Sequence, residues 1–356
     1  MVFFCNLLFS LIWAYCVDRT VKRRGVSDAG LFVLLLPLFA VWLVICGGQY
    51  YVGTDYGSYM RIFKGNLAQF ELSGEIGFAF VVRLFNSIGV RGQALFYVFF
   101  SLNFFFFYLL LKRIKNGSIF IYILLYITVT SLFNNQLNTL RQATTIYMGT
   151  YASLLLFENR RWRSLLVLLL AISIHKSSII YLLLIFYKRA KALNRTWLLA
   201  TLIACFTLGM FFSFSDLLMG SIPYLPKDYA WHIQSDSISE YGMLNKVTKL
   251  IFIPLYVLAV WSCDKFLRDD MSKTLFNIGV LSFCLRLLLI NISIVYRLSA
   301  SFLLLSIFPL YYYMYYLYTT RKTFIFCSVT LGLLLLYFLK AAVYPSGEYL
   351  YHSIYF

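Results

Sequence analysis

The segment 135–178 reads NQLNTLRQATTIYMGTYASLLLFENRRWRSLLVLLLAISIHKSS, and it decides the fold of this 356-residue chain. Two apolar runs fill most of it, yet Arg141 opens the first run and His175 lies within the second. An ionisable side chain in a lipid-buried segment is costly, so it usually faces a partner or a water-filled cavity. We therefore predict that Arg141 and His175 line one polar cavity, around which the other segments are arranged.

The composition of the chain indicates its structural class. Hydrophobic residues make up 61% of it and charged residues only 13%, whereas a soluble protein carries about 25% charged residues. Apolar runs of about 20 residues recur, as expected for transmembrane helices, and they lack the short alternating segments of a β-barrel. The sequence predicts an all-α polytopic membrane protein. Its first helix is predicted at about 2–17, because no basic segment precedes that run as in a signal peptide.

The formal net charge of +17 has a membrane explanation. Lys and Arg cluster at the cytoplasmic ends of membrane helices. Anionic lipid headgroups are the expected partners there, and nucleic acid is not. The seven cysteines show no C-x-x-C spacing, so neither a metal site nor a disulfide framework is predicted. Nucleotide-binding and hydrolase signature motifs are absent from the sequence, so no cofactor is expected.

The basic clusters orient the helices. The segments 18–30, 112–115 and 160–163 are predicted to be cytoplasmic, which places the intervening turns outside. The run 164–187 has basic residues on both flanks, so a single crossing does not satisfy it. We predict two shortened helices that meet at 175–178, with the break lining a water-filled pocket.

This topology gives about 11–12 transmembrane helices in a single domain covering residues 1–356, with external polar loops at about 49–76 and 215–246. The predicted helix 274–294 buries Arg286. The charged residues that the topology places at the external face are Asp55, Arg61, Glu75, Arg141 and Arg297.

Three arginines on different predicted helices, Arg141, Arg286 and Arg297, suggest a bound polyanion. A guanidinium group presents a planar fork of donors that pairs with phosphate oxygens at two points. A lipid-linked pyrophosphate fits better than a soluble anion, because its tail stays in the bilayer. The structural alternatives are a salt bridge or a carbonyl partner for Arg286, and snorkelling of the other two arginines towards headgroups.

Three further residues are candidates for catalysis or sugar binding. His175 can act as a base near neutral pH, although a hydrogen-bonded histidine packed between helices is the alternative. Asp55 lies in a loop flanked by Gly and Tyr, where it could act as a base, orient an arginine or a sugar hydroxyl, or simply form a turn. Glu75, near Gly74 and Gly77, leaves a similar choice open.

Several motifs resemble the EpsG/Wzy group of bacterial polysaccharide polymerases. They span most of the chain in the order of that family: GTDYGSY (53–59), EIGF (75–78), LRQA (140–143), HKSS (175–178) and YRLS (296–299). The resemblance implies a helical bundle similar to O-antigen ligases and other GT-C-like membrane glycosyltransferases. It also implies a multi-pass protein of the bacterial inner membrane with its active face in the periplasm.

The resemblance further implies a reaction. Such enzymes transfer a growing chain from undecaprenyl pyrophosphate onto a new lipid-linked repeat unit, with membrane lipids and a chain-length regulator as further potential partners. By analogy, Arg141 and Arg297 would hold the pyrophosphate, His175 would lie near the acceptor hydroxyl, and the Asp55 loop would bind sugar or assist the base. Arg61, Glu75 and Arg286 complete the predicted substrate-binding residues.

Three other functions stay open at this point. An O-antigen ligase uses the same lipid-linked donor with a different acceptor, and the EpsG-like Asp55 loop argues for the polymerase. A flippase or transporter for lipid-linked sugars would also use broken helices and buried charges, although no repeated halves are visible in the sequence. A membrane acyltransferase can use a lone intramembrane histidine, but it does not require external arginines.

Overall fold

The computed structural model describes residues 1–65, 67–187, 193–212, 250–291 and 299–355. Within these ranges the chain is helical, apart from turns and an isolated antiparallel bridge between Gln49 and Ser353. It divides into two compact units, one formed by Met1–Ile185 with Met314–Phe356 and the other by Phe186–Tyr313. The predicted external loop 215–246 lies outside the described residues.

The helices follow one another along the chain with short connections. The N-terminal part of the first unit contains α1 (Val2–Arg24), α2 (Asp28–Gly47), α3 (Tyr56–Phe63), α4 (Ala68–Leu72), α5 (Ile76–Ser87), α6 (Ala94–Ile114), α7 (Ile119–Thr128), α8 (Leu132–Asn135), α9 (Leu140–Phe157), α10 (Arg161–Ile174), a 3₁₀ helix (Lys176–Leu182) and α11 (Leu183–Tyr187). The boundary between the two units falls within α11. The second unit then contains α12 (Arg195–Phe211), α13 (Ile253–Trp261), a 3₁₀ turn (Cys263–Lys265), α14 (Asp270–Leu288) and α15 (Leu303–Ser306). The chain then continues with α16 (Phe308–Thr319), α17 (Thr323–Phe338), a π-helical turn (Leu339–Val343) and a 3₁₀ turn (Gly347–Tyr349).

Several of these helices suit a membrane. Those long and apolar enough to cross a bilayer by length and composition are Val2–Arg24, Asp28–Gly47, Ala94–Ile114, Asp270–Leu288 and Thr323–Val343. Shorter apolar helices are Ile76–Ser87, Ile119–Thr128, Lys176–Tyr187 and Arg195–Phe211. The prediction of an all-α polytopic membrane protein is confirmed. The number of crossings and the single-domain organisation stay predictions.

Ion pairs tie together the basic loops of the first unit. Lys112 and Lys115, at the end of α6, both bind the carboxylate of Asp28 at the start of α2, each at 2.6 Å. Arg113 pairs with Glu158, which follows α9, at 2.8 Å. The loops that the sequence predicts to share the cytoplasmic side therefore lie together at one end of this unit.

The C-terminal tail joins the loops at the opposite end of these helices. The N–H of Tyr50 donates to the carbonyl of His352, and the N–H of Ile354 donates to the carbonyl of Gly48, both at 2.9 Å. These bonds flank the bridge between the tail and the chain after α2. The start of the predicted external loop 49–76 is thus held by the tail.

The helices α9 and α10 form a hairpin, and the 3₁₀ helix that follows packs back onto α9. Tyr181 lies against Gly149, where any Cβ atom would collide with the ring. The break predicted within 164–187 is found at His175, which ends α10 in an extended conformation. The second half, Lys176–Tyr187, is a short apolar helix that begins as the 3₁₀ helix and ends as α11.

Asp18 also departs from the sequence prediction. Because α1 continues past it, Asp18 lies inside that helix and is buried, not in a solvated loop. Its carboxylate accepts hydrogen bonds from the hydroxyl of Ser118 at 2.6 Å and from the N–H groups of Ile119 at 2.8 Å and Phe120 at 3.1 Å. These N–H groups begin α7 and have no partner within their own helix. Asp18 therefore caps the N-terminus of a neighbouring helix.

Replacing Asp18 by Asn should destabilise the protein, because the start of α7 loses its charged acceptor. Loss of a helix cap costs about 0.5–2 kcal/mol, which we expect to lower the melting temperature of the purified protein. The measurement is thermal unfolding in detergent, followed by circular dichroism. Asp264→Asn is the matched control, because its carboxylate is 72% exposed and its pair with Arg195 is a surface ion pair. An equal shift for the two variants would contradict the capping role.

Candidate functional site

Glu75 brings Arg141 and His175 together. One carboxylate oxygen, Oε2, binds Arg141 Nη1 in a short ion pair, and the other, Oε1, lies 2.7 Å from His175 Nδ1. The backbone N–H of Lys176 also donates to Oε1, at 3.3 Å. Arg141 and His175 are 66 and 100 residues from Glu75 in the sequence. Tertiary packing therefore creates this group, which we call the Glu75–Arg141–His175 cluster.

The Glu75 carboxylate is ionised although it is only 7% exposed. Burial acts to raise the pKa of Glu75, but the hydrogen bond from His175 and the positive charge of Arg141 outweigh it and lower that pKa below its ordinary value. An ionised carboxylate can only accept hydrogen bonds, so His175 Nδ1 carries the proton between them. In the neutral imidazole, Nε2 then keeps a lone pair that can take a proton.

The guanidinium group of Arg141 lies among aromatic rings. It is 4.6 Å from the ring centroid of Phe70 and 5.3 Å from that of Phe78. Its Nε atom is buried and has no hydrogen-bond partner among the described residues. Low polarity around a cation strengthens its attraction to an anion. Glu75 therefore holds the Arg141 side chain in place, and the buried Nε is a donor that the described residues leave unsatisfied.

A close helix crossing allows the acid and the histidine to meet. Gly77 on α5 lies so near Ser173 on α10 that a Cβ atom would overlap the serine side chain and crowd its backbone. Gly77 follows Glu75 by two residues, and Ser173 precedes His175 by two. The missing side chain at Gly77 thus lets the two helix ends approach within hydrogen-bonding distance.

Glu75 and Asp55 both occupy N-cap positions, yet neither side chain caps its helix. Glu75 precedes α5 and Asp55 precedes α3, and no side-chain capping hydrogen bond forms at either position. Acidic residues at this position normally bind the free N–H groups of the first turn. Glu75 instead binds the cluster, and the carboxylate of Asp55 accepts a hydrogen bond from the hydroxyl of Thr54 at 3.2 Å.

Asp55 lies beside the cluster and not within it. Its backbone N–H donates to Asn138 Oδ1 at 2.8 Å. Gly53 approaches the same side chain with a φ of +72°, where a Cβ atom would collide with it. Asn138 stands three residues before Arg141, whose N–H donates to the hydroxyl of Tyr59, one turn along α3 from Asp55, at 3.3 Å. The Asp55 loop is therefore fixed to both sides of the turn that precedes Arg141.

Arg61 lies at the edge of a neighbouring cavity of about 320 Å³. The residues that line this cavity are Ser58, Arg61, Ile62, Gln69 and Phe70. Arg61 is exposed, and its Nη2 donates to the hydroxyl of Ser58 at 3.3 Å. The cavity and the cluster share Phe70, whose ring also contacts the Arg141 guanidinium.

Arg286 and Arg297 are the other two residues predicted to bind phosphate, and only Arg286 lies among the described residues. Arg286 lies in the last turn of α14 in the second unit, where it is half-buried. Arg297 lies outside the described residues. The convergence of three arginines on one ligand stays a prediction.

The sequence analysis did not identify three residues that support the site: Tyr59, Phe70 and Asn138. The sequence contained a feature that could have pointed to two of these residues. Tyr59 ends the GTDYGSY motif and follows Asp55 by four residues, which is one helical turn. Asn138 lies in the segment 135–143 that begins the decisive stretch. Phe70 had none, because one phenylalanine among 35 gives no sign of contacting a cation.

A model of the EpsG family matches residues 32–353, which is nearly the whole chain. This range contains the Glu75–Arg141–His175 cluster and the Asp55 loop. No curated protein and no solved structure gives a significant match, so the likeness to ligases and other GT-C-like bundles stays a prediction. EpsG-family proteins are Wzy-like polymerases. The chain belongs to the EpsG family and is a multi-pass membrane protein of the polysaccharide polymerase type.

Proposed function

We propose that this protein elongates a polysaccharide at the periplasmic face of the bacterial inner membrane. The growing chain is transferred from undecaprenyl pyrophosphate onto a new lipid-linked repeat unit. Family membership supports membrane polymerisation in general. The observation that supports this reaction is the Glu75–Arg141–His175 cluster, in which one carboxylate joins a group suited to phosphate and a group suited to accept a proton.

Arg141 is proposed to bind the pyrophosphate of the donor. Glu75 and the hydroxyl of Tyr59 use part of its five N–H donors, and the remaining donors are proposed to bind phosphate oxygens. Negative charge grows on the pyrophosphate as the glycosidic bond breaks, and a preorganised cation in a site of low polarity stabilises that charge. Arg61, Arg286 and Arg297 are proposed as further contacts to phosphate or sugar.

His175 is proposed to act as the base. The acceptor hydroxyl oxygen attacks the anomeric carbon of the donor and its proton passes to His175 Nε2. The bond between that carbon and the pyrophosphate oxygen breaks, and its electron pair leaves with the pyrophosphate. Glu75 stabilises the imidazolium that forms, as the carboxylate does in a Ser-His-Asp triad. We therefore propose a positioning role for Glu75, which differs from the direct substrate contact predicted from the sequence.

Cells that carry Arg141→Ala should make polysaccharide of a single repeat unit, because the leaving pyrophosphate is no longer held. Gene deletion should give the same result, and a gel ladder of the polysaccharide measures both. Arg83→Ala is the matched control, since Arg83 is 62% exposed and pairs with Glu71 in a neighbouring ion pair. Complete loss of attached polysaccharide on deletion would indicate a ligase instead. Lipid-linked units that accumulate on the cytoplasmic side would indicate a flippase.

Glu75→Gln should reduce the polymerisation rate of purified enzyme by about 10²-fold or more, because general base catalysis contributes about 10²–10⁴-fold and His175 loses the group that orients it. The comparison is Glu71→Gln, which removes the same charge from the exposed pair with Arg83. Rates are measured with a lipid-linked repeat unit as substrate. A rate for Glu75→Gln close to that of Glu71→Gln would show that the cluster does not serve the reaction.

His175→Ala should lower kcat by about 10²–10⁴-fold, as expected for the loss of a general base. The KM for the lipid-linked substrate should change much less, because Arg141 and Glu75 still form the phosphate-binding side of the cluster. His352→Ala, which changes an exposed histidine of the tail, serves as the control. A rise in KM at unchanged kcat would assign His175 to substrate binding and not to proton transfer.

A further inference from the structure

Three tyrosines form an aromatic surface beside the Asp55 loop. The ring centroids of Tyr50 and Tyr51 are 4.9 Å apart, and both rings contact Tyr56, at 5.8 Å and 4.8 Å. Tyr56 is buried and stacks on Phe96 with the two rings almost parallel, at 5.3 Å. Tyr50 is 47% exposed and Tyr51 is 62% exposed. We call Tyr50, Tyr51 and Tyr56 the tyrosine platform, in which the exposed rings of Tyr50 and Tyr51 contact the buried ring of Tyr56.

The base of the platform is fixed by polar contacts. The hydroxyl of Tyr56 donates to Gln93 Oε1 at 2.7 Å. The amide of Gln93 in turn donates to the carbonyls of Gly47 at 2.5 Å and Gln49 at 2.9 Å. The buried ring of Tyr56 is therefore anchored to the end of α2 and the start of α6.

Tyr51 keeps a costly backbone conformation at this position. Its φ is +49°, in the left-handed region that suits glycine and is uncommon for a bulky side chain. Such conformations cluster at sites where function requires the side chain. A tyrosine that only anchors the protein in the headgroup region gains nothing from this backbone, whereas a ring that must face a ligand does.

Polar side chains next to the platform suit a carbohydrate. Asp55 directly precedes Tyr56, and the exposed hydroxyl of Thr54 lies between the carboxylate of Asp55, at 3.2 Å, and Asn138 Oδ1, at 3.4 Å. A sugar ring presents C–H groups on its faces and hydroxyl groups at its rim. Aromatic surfaces with a few fixed polar groups bind such amphipathic ligands.

We propose that the tyrosine platform binds the oligosaccharide part of the lipid-linked substrate, by stacking a sugar ring on Tyr50 and Tyr51 while the Asp55 loop bonds its hydroxyl groups. This inference rests on the proposed polymerase function and adds a glycan subsite to it. The platform recognises the sugar, and the Glu75–Arg141–His175 cluster acts on the pyrophosphate and the attacking hydroxyl. Substitutions in the platform should therefore weaken sugar binding without changing the cluster.

The test uses purified protein in nanodiscs and the soluble oligosaccharide that mild acid releases from the lipid-linked repeat unit of the host strain. Tyr51→Ala should bind this oligosaccharide about tenfold more weakly than wild type, and Tyr50→Ala should show a similar loss. Tyr51→Phe keeps the ring and should bind nearly as wild type. Trp162→Ala, which removes an even more exposed aromatic ring at the start of α10, is the control and should change nothing.

Tyr51→Gly separates binding from folding. Glycine suits the positive φ at this position, so its melting temperature should be at least that of Tyr51→Ala, while its oligosaccharide affinity should fall as far. Oligosaccharide affinity equal to wild type in Tyr51→Gly and Tyr51→Ala would overturn the proposal.

A second probe distinguishes sugar from lipid. Sugar-free undecaprenyl pyrophosphate should bind Tyr51→Ala as tightly as wild type, and an equal weakening for this probe would show that the platform contacts the carrier lipid instead. The binding assay needs no turnover. Wild-type protein that binds the oligosaccharide but makes no polymer from lipid-linked units would therefore refute the polymerase proposal and leave the platform in place.

Discussion

The arrangement of the site in the first unit depends on one carboxylate with two partners. Glu75 neutralises Arg141 with one oxygen and orients His175 with the other. A buried ion pair is a weak source of stability, because removing both charges from water costs about as much as their attraction returns. The close crossing at Gly77, the rings around Arg141 and the end of α10 are all needed to hold this arrangement. The desolvation cost of this ion pair is consistent with the catalytic role that we propose for it.

Two acidic residues at helix N-termini do not bind the free N–H groups of the helix that follows them. Glu75 and Asp55 both precede helices that they do not cap. Among the described helices, Ser27, Ser118, Asn194 and Asp269 accept a hydrogen bond from the first turn of the helix that they precede, whereas Ser131 and Thr139 do not. What sets Glu75 and Asp55 apart is that each carboxylate instead hydrogen-bonds another side chain, His175 and Thr54 respectively.

Much of this could be predicted from the sequence, and the failures have physical causes. Apolar runs predicted the helical membrane class, and the basic flanks of 164–187 predicted the break at His175. The burial of Asp18 was missed because a charged residue after an apolar run looks solvated when its partner lies 100 residues away. The link between Glu75 and His175 was missed for the same reason, since helix periodicity does not encode which helix ends meet. The Tyr51 backbone conformation has no sequence signal at all.

The shortness of α10 bears on where chemistry takes place relative to the lipid. A helix of 14 residues rises about 21 Å, whereas the hydrocarbon core of a bilayer is about 30 Å thick. If Arg161 marks one boundary of the core, the imidazole stops about 9 Å short of the other. This hydrophobic mismatch favours local thinning of the bilayer around the break. On the proposed function, a carrier phosphate would then reach the Glu75–Arg141–His175 cluster without crossing an intact layer of acyl chains.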